Sequence, residues 1–257
     1  GLSDAPESVQ ISLRSWKTLN PEYNIIVLTN ENLANYFPFW DAFSLSNLQI
    51  GIAHKSDFLR TYLTYFYGGI WVDATTFCFK PLSAWLPDVL SHNNIFFPKQ
   101  GKKCPDRLIK NWLLAANKGN IFSRKLLKKL YNYIFEYRSS PVPIKFSTRY
   151  IKRCRVEWGN LTPAKFNLKA LQEFEKLGFS SYYYYHYLYN EIVGNHSSPS
   201  PIYIMSQYIA SYPHICPGSK TKQLDDSIFV TKQSHRQHHL NSPEYEERKQ
   251  KMMSILT

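Results

Sequence analysis

Apolar and polar positions alternate along this chain in a few distinct patterns, and each pattern predicts an element. Between residues 5 and 19, Val9, Ile11, Leu13, Trp16 and Leu19 recur among polar positions at helical spacing, and Asn20-Pro21 ends the run. Residues 23–29 are β-branched and nearly continuous, which predicts a strand buried on both faces. Asn30-Glu31-Asn32 opens a short helix toward Tyr36. From residue 53 onward, Phe58, Leu59, Tyr62, Leu63 and Phe66 form a broad apolar helix face, with Ser56 placed to cap its start. Gly68-Gly69 supplies the left-handed conformation that ends such a helix. Ile70-Trp71-Val72 then reads as a short buried strand that stops at Asp73.

Further along, 77–79 and 94–97 read as strands. Residues 107–117 and 121–138 read as two helices joined by Asn117-Lys118-Gly119-Asn120, a turn rich in left-handed formers. Residues 168–177 predict a helix closed by Gly178. Residues 182–189, dominated by tyrosine and containing His186, predict a core-lining segment, and 201–209 a further apolar one. Residues 242–256 predict a charged terminal helix. Helices interleaved with short strands point to an α/β domain over 1–240, followed by a charged helix or tail over 241–257.

Composition narrows the class. A hydrophobic share of 44% over 257 residues suffices for one sizeable core. No run of about 18 apolar residues predicts a membrane-crossing helix, and the start of the chain does not read as a signal peptide. Cys78, Cys104, Cys154 and Cys216 are scattered without a Cys-x-x-Cys pair, which predicts structural thiols in a reducing, cytoplasmic setting. Charge is the real deviation: 31 basic against 19 acidic residues give +12. That surface favours anionic partners, whether nucleic acid, an anionic lipid leaflet or phosphorylated small molecules.

The candidate chemistry gathers in the central stretch. Asp57 and Arg60, three apart, emerge on one side of a helix. Asp73 stands at the carboxyl end of a strand, where ligands bind in open α/β sheets. Taken singly, each has an ordinary reading: Asp57 and Arg60 as a surface ion pair, Asp73 as a turn cap. His235, His238 and His239 fit a solvated basic tail better than a metal cluster, and His186 a hydrogen-bonded core position better than a catalytic base.

Taken together, Ala53, Ser56, Asp57, Arg60, Gly68, Gly69 and Asp73, followed by Ala74-Thr75, resemble in order and spacing the donor-site motif of the capsular polysaccharide synthesis glycosyltransferases, which are related to glycosyltransferase family 32. Weaker similarity precedes the motif, around Ser15-Trp16 and Asn20-Pro21, and the family's usual first strand has no counterpart before it. Residues 229–234 resemble the family's closing element, with Thr231 where histidine is usual. The resemblance implies a GT-A fold, a Rossmann-like mixed sheet flanked by helices, with further helices on the acceptor side. It implies transfer of a sugar, with retention of configuration, from a UDP- or GDP-sugar to a growing capsular or lipopolysaccharide-type glycan or lipid-linked oligosaccharide. In that frame Asp57, Arg60 and Asp73 are the catalytic and donor-binding residues, joined by Thr75 and by Lys232 as a phosphate contact. A divalent cation, Mn²⁺ or Mg²⁺, would sit at Asp73 and Thr75. Thr75 departs from the family's second aspartate and is a poorer ligand for a hard cation. Asp225, Asp226 and His235 are candidates to complete such a site. The implied location is the cytoplasm, with peripheral contact at the inner face of the plasma membrane, and no nucleic-acid partner. Two other classes stand beside this reading: an inactive relative that scaffolds polysaccharide assembly, and a basic nucleic-acid-binding module.

Overall fold

The computed structural model describes residues 4–91, 94–100, 107–145, 167–194, 224–234 and 236–256. Cys104, Cys154, Cys216, His235 and the apolar segment at 201–209 lie outside them. The chain begins with α1 (Glu7–Leu19), α2 (Leu33–Tyr36), a 3-10 turn (Trp40–Leu45), β1 (Leu48–Gln49) and α3 (Ile52–Phe66). There follow β2 (Gly69–Val72), β3 (Thr76–Cys78), α4 (Leu86–Leu90), β4 (Ile95–Phe96), β5 (Leu113–Ala116) and α5 (Ile121–Phe135). The remainder forms β6 (Val142–Lys145), α6 (Leu168–Lys176), β7 (Ser180–Ser181), α7 (Tyr184–Gly194), β8 (Val230–Lys232), α8 (Gln237–Leu240) and α9 (Pro243–Leu256). Among the described residues no helix is long and apolar enough to cross a membrane.

The fold is mixed α/β. β1, β6 and β7 form a parallel sheet, with Leu48 opposite Val142 and Ile144 opposite Ser180. β5 is the centre of an antiparallel sheet between β2 and β4, and β3 pairs antiparallel with β8. The largest core packs α3, α5 and α7 together through Phe58, Leu126, Leu130, Ile134, Tyr185 and Tyr189. Truncating any of these to alanine would cost about 2–5 kcal/mol through lost transfer energy and the cavity left behind.

Polar bonds fix α1 on β3. Trp16 Nε1 donates to the Thr76 carbonyl at 2.7 Å, and the Cys78 amide donates to Ser15 Oγ at 2.9 Å. Asn20, buried at the end of α1, accepts from the Leu82 amide at 2.6 Å and donates to the Trp16 carbonyl at 3.0 Å. The predicted helix break thus also ties two loops together.

Four local expectations are corrected. Residues 107–117 are not a helix: β5 occupies Leu113–Ala116, all four residues buried. A short apolar run reads alike as buried helix or central strand, and its two flanking strands decide the matter. Residues 23–29 are not a strand buried on both faces, for they join no ladder among the described residues. They run as an extended strap, with Ile25 and Leu28 packed against different clusters and Ile26 exposed. Ser56 is not a cap, because α3 starts a turn earlier; Gly51 is the N-cap, its amide donating to His54 Nδ1 at 3.3 Å. Ser56 Oγ instead donates to the Ile52 carbonyl. β2 is a sheet edge and only partly buried.

Candidate functional site

The turn after α3 sets the geometry. Gly68 and Gly69 both hold positive φ, 74° and 87°. At Gly68 the need is double, since a Cβ there would lie 2.8 Å from the Lys118 backbone nitrogen. The chain therefore reverses tightly from α3 into β2 and returns Asp73 beside the helix it has just left. The Asp73 amide donates to the Trp112 carbonyl at 2.9 Å, and the Asp73 carbonyl accepts from the Thr76 amide at 2.9 Å, closing a turn. Lys232 arrives from the far end of the chain because β8 pairs with β3 in a register that places it opposite Thr76.

Arg60 is the hub. Its Nη2 lies 3.3 Å from Asp57 Oδ1 and 3.4 Å from Asp73 Oδ1. Its Nε donates to the Ser56 carbonyl at 3.1 Å, and Nη1 donates to the Asn111 carbonyl. The guanidinium also sits 5.5 Å from the Trp71 ring centre. With its donors engaged and its side chain 5% exposed, Arg60 is held in a single orientation. Asp57 accepts a further bond from Asn111 Nδ2 at 2.8 Å.

Asp73 is the more open carboxylate. Trp71 Nε1 donates to its Oδ1 at 3.0 Å, and Lys232 Nζ donates to its Oδ2 at 2.6 Å. Both side chains of that pair are about a quarter exposed, at 26% and 23%.

The electrostatics separate the two acids. Burial pushes the Asp57 carboxyl up to about 7; Arg60 opposes the shift and Asp73 adds to it. Burial also acts against Asp73, but Arg60 and Lys232 outweigh it and hold that carboxyl below its usual range. Burial lowers the Lys232 ammonium, with Asp73 opposing. His186, in the wall of the same cavity, is pushed down to about 3 by burial and by Arg107 and Arg60, so it stays neutral.

These groups open into a cavity of about 620 Å³, within the range of small-molecule sites. Three cationic side chains, Arg60, Arg107 and Lys232, stand there against two carboxylates, one of them drawn toward its neutral form. Tyr182 and Tyr183 form an aromatic wall, and the Arg107 guanidinium lies 4.3 Å from the Tyr183 ring centre.

Sequence reasoning names Asp57, Arg60, Asp73, Thr75 and Lys232, and the structure brings all five to this cavity. Asp225 and Asp226 are elsewhere: Asp225 accepts from Ser227, and exposed Asp226 pairs with Lys251 at 3.0 Å. His239 packs on Tyr245. Asn111, Arg107 and the indole of Trp71 were not expected in the site. Trp71 was legible, because two residues apart on a strand places its side chain on the same face as Asp73. The loop residues Asn111 and Arg107 carry no such pattern.

Asp73 and Thr75 fit a divalent cation poorly. Both Asp73 oxygens already accept bonds, two of them from cationic groups, and a dication would meet Arg60 and Lys232 at once. Thr75 is buried, its carbonyl taken by the Gln233 amide at 2.7 Å. Among the described residues no three His, Cys, Asp or Glu side chains converge as a metal site.

The family described as capsular polysaccharide synthesis protein matches residues 1–151, which include α3, the glycine turn and Asp73 but not Lys232. A glycosyltransferase of Aspergillus fumigatus (strain CBS 144.89 / FGSC A1163 / CEA10), named afumC, is 30% identical over 97 residues, covering 33% of this chain and 24% of that protein. The match thus spans about a quarter of that relative's length. No solved structure matches the chain.

Proposed function

Because this chain belongs to the capsular polysaccharide synthesis protein family, we propose that it is a glycosyltransferase moving a sugar from a UDP- or GDP-type donor to a growing cell-surface glycan. The observation that carries the reading is the charge of the cavity: three cationic side chains against two carboxylates, one of which burial raises to about 7 so that it is only partly ionised at neutral pH. That balance suits a diphosphate.

Chemically, the bond between the anomeric carbon and the diphosphate oxygen breaks, and the departing diphosphate takes the electron pair. The acceptor hydroxyl oxygen forms the new bond, and its proton is lost to the departing group or to water. Lys232 has three N–H donors and gives one to Asp73, leaving others for phosphate oxygens, and Arg107, beside Tyr183, adds charge to the same cavity. Asp57 and Asp73 accept bonds from sugar or ribose hydroxyls. Arg60 is a positioning residue: Nε and Nη1 are held by the Ser56 and Asn111 carbonyls, and Nη2 lies between both acids. In this reading cationic side chains supply what a divalent cation supplies in related enzymes, and no step relies on a metal. Retention of configuration belongs to the same proposal and is read from the product's anomeric proton by NMR.

The test is thermal shift with UDP, GDP and their sugars, in EDTA and again with Mn²⁺. The reading expects one nucleotide class to raise Tm by about 2 °C or more in EDTA, and Lys232→Met to abolish the shift. An unchanged Tm with every nucleotide, alongside a rise with an oligonucleotide, would contradict it in favour of nucleic-acid binding.

A further inference from the structure

The two sides of α3 face different environments. At about 100° per residue, Asp57, Arg60 and Thr64 share one side, and Phe58, Tyr62, Tyr65 and Phe66 share the other. The second side borders an apolar cavity of about 440 Å³ between α3, α5 and the segment around Phe39 and Phe43. Its inner wall is close-packed aromatic: Phe43 meets Phe58 at 5.5 Å and stacks on Phe135 at 6.0 Å, and Phe37 meets Tyr62 at 4.8 Å.

The rim is what distinguishes this cavity from a packing defect. Phe39, Phe66 and Tyr131 line it while 59%, 44% and 56% exposed. Arg124 and Lys128 complete the rim from α5, a helix that also carries Lys125 and Lys129 and contains no acidic residue. Two carboxylates adjoin lining residues in sequence: Asp41 precedes Ala42, and Glu136, which pairs with Arg138 at 3.7 Å, follows Phe135. Exposed aromatic rings beside cationic side chains, over an apolar cavity, match the boundary of a bilayer, where rings sit at headgroup depth and cations meet anionic phosphates.

We propose that the α3–α5 face is a docking surface for an anionic lipid bilayer, with Phe39, Phe66 and Tyr131 entering the headgroup layer and Arg124 and Lys128 contacting lipid phosphates. The polar cavity, on the other side of α3, then faces away from the bilayer and stays open to solutes. This goes beyond the transferase reading and does not depend on it, since membrane docking is measured without any donor.

The test is co-sedimentation of the full chain with vesicles of phosphatidylcholine alone and of phosphatidylcholine with phosphatidylglycerol in equal parts. Binding to the anionic vesicles and at least tenfold weaker binding to the neutral ones is expected. Two double variants, Phe39→Ser with Tyr131→Ser and Arg124→Glu with Lys128→Glu, should each weaken anionic binding about tenfold or more with Tm preserved, because all four side chains are solvent-facing. Lys17→Glu with Lys251→Glu, on α1 and α9, removes the same charge elsewhere and should leave binding close to wild type. Equal loss in that control would overturn the assignment, because net charge alone would then drive binding. Unaltered binding by the aromatic variant would also overturn it. A concentration-dependent dimer that the aromatic variant abolishes would mean that a second copy covers the face, and would overturn it as well.

Discussion

Lys232 Nζ lies 2.6 Å from Asp73 Oδ2, a bond between residues 159 positions apart that joins the end of β8 to the end of β2. It places a cation where sequence similarity implies a metal. If Lys232 and Arg107 neutralise the leaving diphosphate, turnover persists in EDTA and rises less than about twofold on adding Mn²⁺. Lys232→Met should lower kcat by about 10²–10³, the effect of losing one preorganised donor, and Mn²⁺ should not restore it. Abolition of wild-type turnover by EDTA would reinstate the cation.

In the proposed reaction, Asp57 should make stability and activity respond oppositely to pH. Its folded-state carboxyl, at about 7, lies above the ordinary 3.8, so the folded state holds the proton more tightly than the unfolded chain. The stability this contributes is fully present below about 3.8 and is lost as pH rises through about 7. Asp57→Asn, neutral throughout, should therefore match wild-type Tm near pH 4 and exceed it by about 8 °C or more at pH 8. If, as proposed, the ionised acid accepts the donor's hydroxyls, wild-type kcat/KM should climb through pH 7 while Asp57→Asn stays low and flat. A Tm difference that does not grow with pH would remove this account.

The two glycines of the turn should respond unequally to alanine. Both substitutions incur the strain of positive φ, about 1 kcal/mol. Only Gly68→Ala also drives a Cβ into the Lys118 backbone, whereas Gly69 has open space. In urea titrations Gly68→Ala should lose about 2 kcal/mol more than Gly69→Ala, and it should also lose activity, because the turn returns Asp73 to Arg60.

Arg248, 2% exposed on α9, supports Lys232 from behind. It donates to Thr231 Oγ1 at 2.8 Å, Gln233 Oε1 at 3.2 Å and the Lys232 carbonyl at 3.4 Å, and burial pulls its guanidinium down to about 10. Arg248→Ala should destabilise by about 3 kcal/mol, since it strips three acceptors in a dry setting. In the fraction still folded, KM for the donor should rise as Lys232 loses its backing. An unchanged KM with only the stability loss would limit Arg248 to a structural role.

Legibility in the sequence followed the range of the forces involved. α1, α3, α5 and the terminal helix were readable because amphipathic periodicity and Gly or Asn ends are local signals. β5 and the 23–29 strap were misread because an apolar run of four to seven residues takes its conformation from its neighbours. The strap has no neighbouring strand among the described residues, whereas β5 has two. At the site, Asp57, Arg60 and Asp73 were visible as a motif on one helix, turn and strand. Lys232 was expected from similarity alone, and the β3–β8 register shows what seats it. Arg107 and Asn111 had no signal, because a loop residue acquires its neighbours only when the fold closes. The raised carboxyl of Asp57 was equally invisible, being a property of burial rather than of residue type.

In the proposed reaction this cavity breaks a nucleotide-sugar bond. The direct measurement is release of nucleoside diphosphate from a panel of UDP- and GDP-sugars by wild type and by Asp73→Asn, in EDTA, with glycan acceptors. Release from at least one donor is expected, with a loss of about 10²-fold or more in the variant and unchanged far-UV circular dichroism. Equal release by both proteins, or tight donor binding with no release by wild type, would contradict it, the latter pointing to an inactive scaffold.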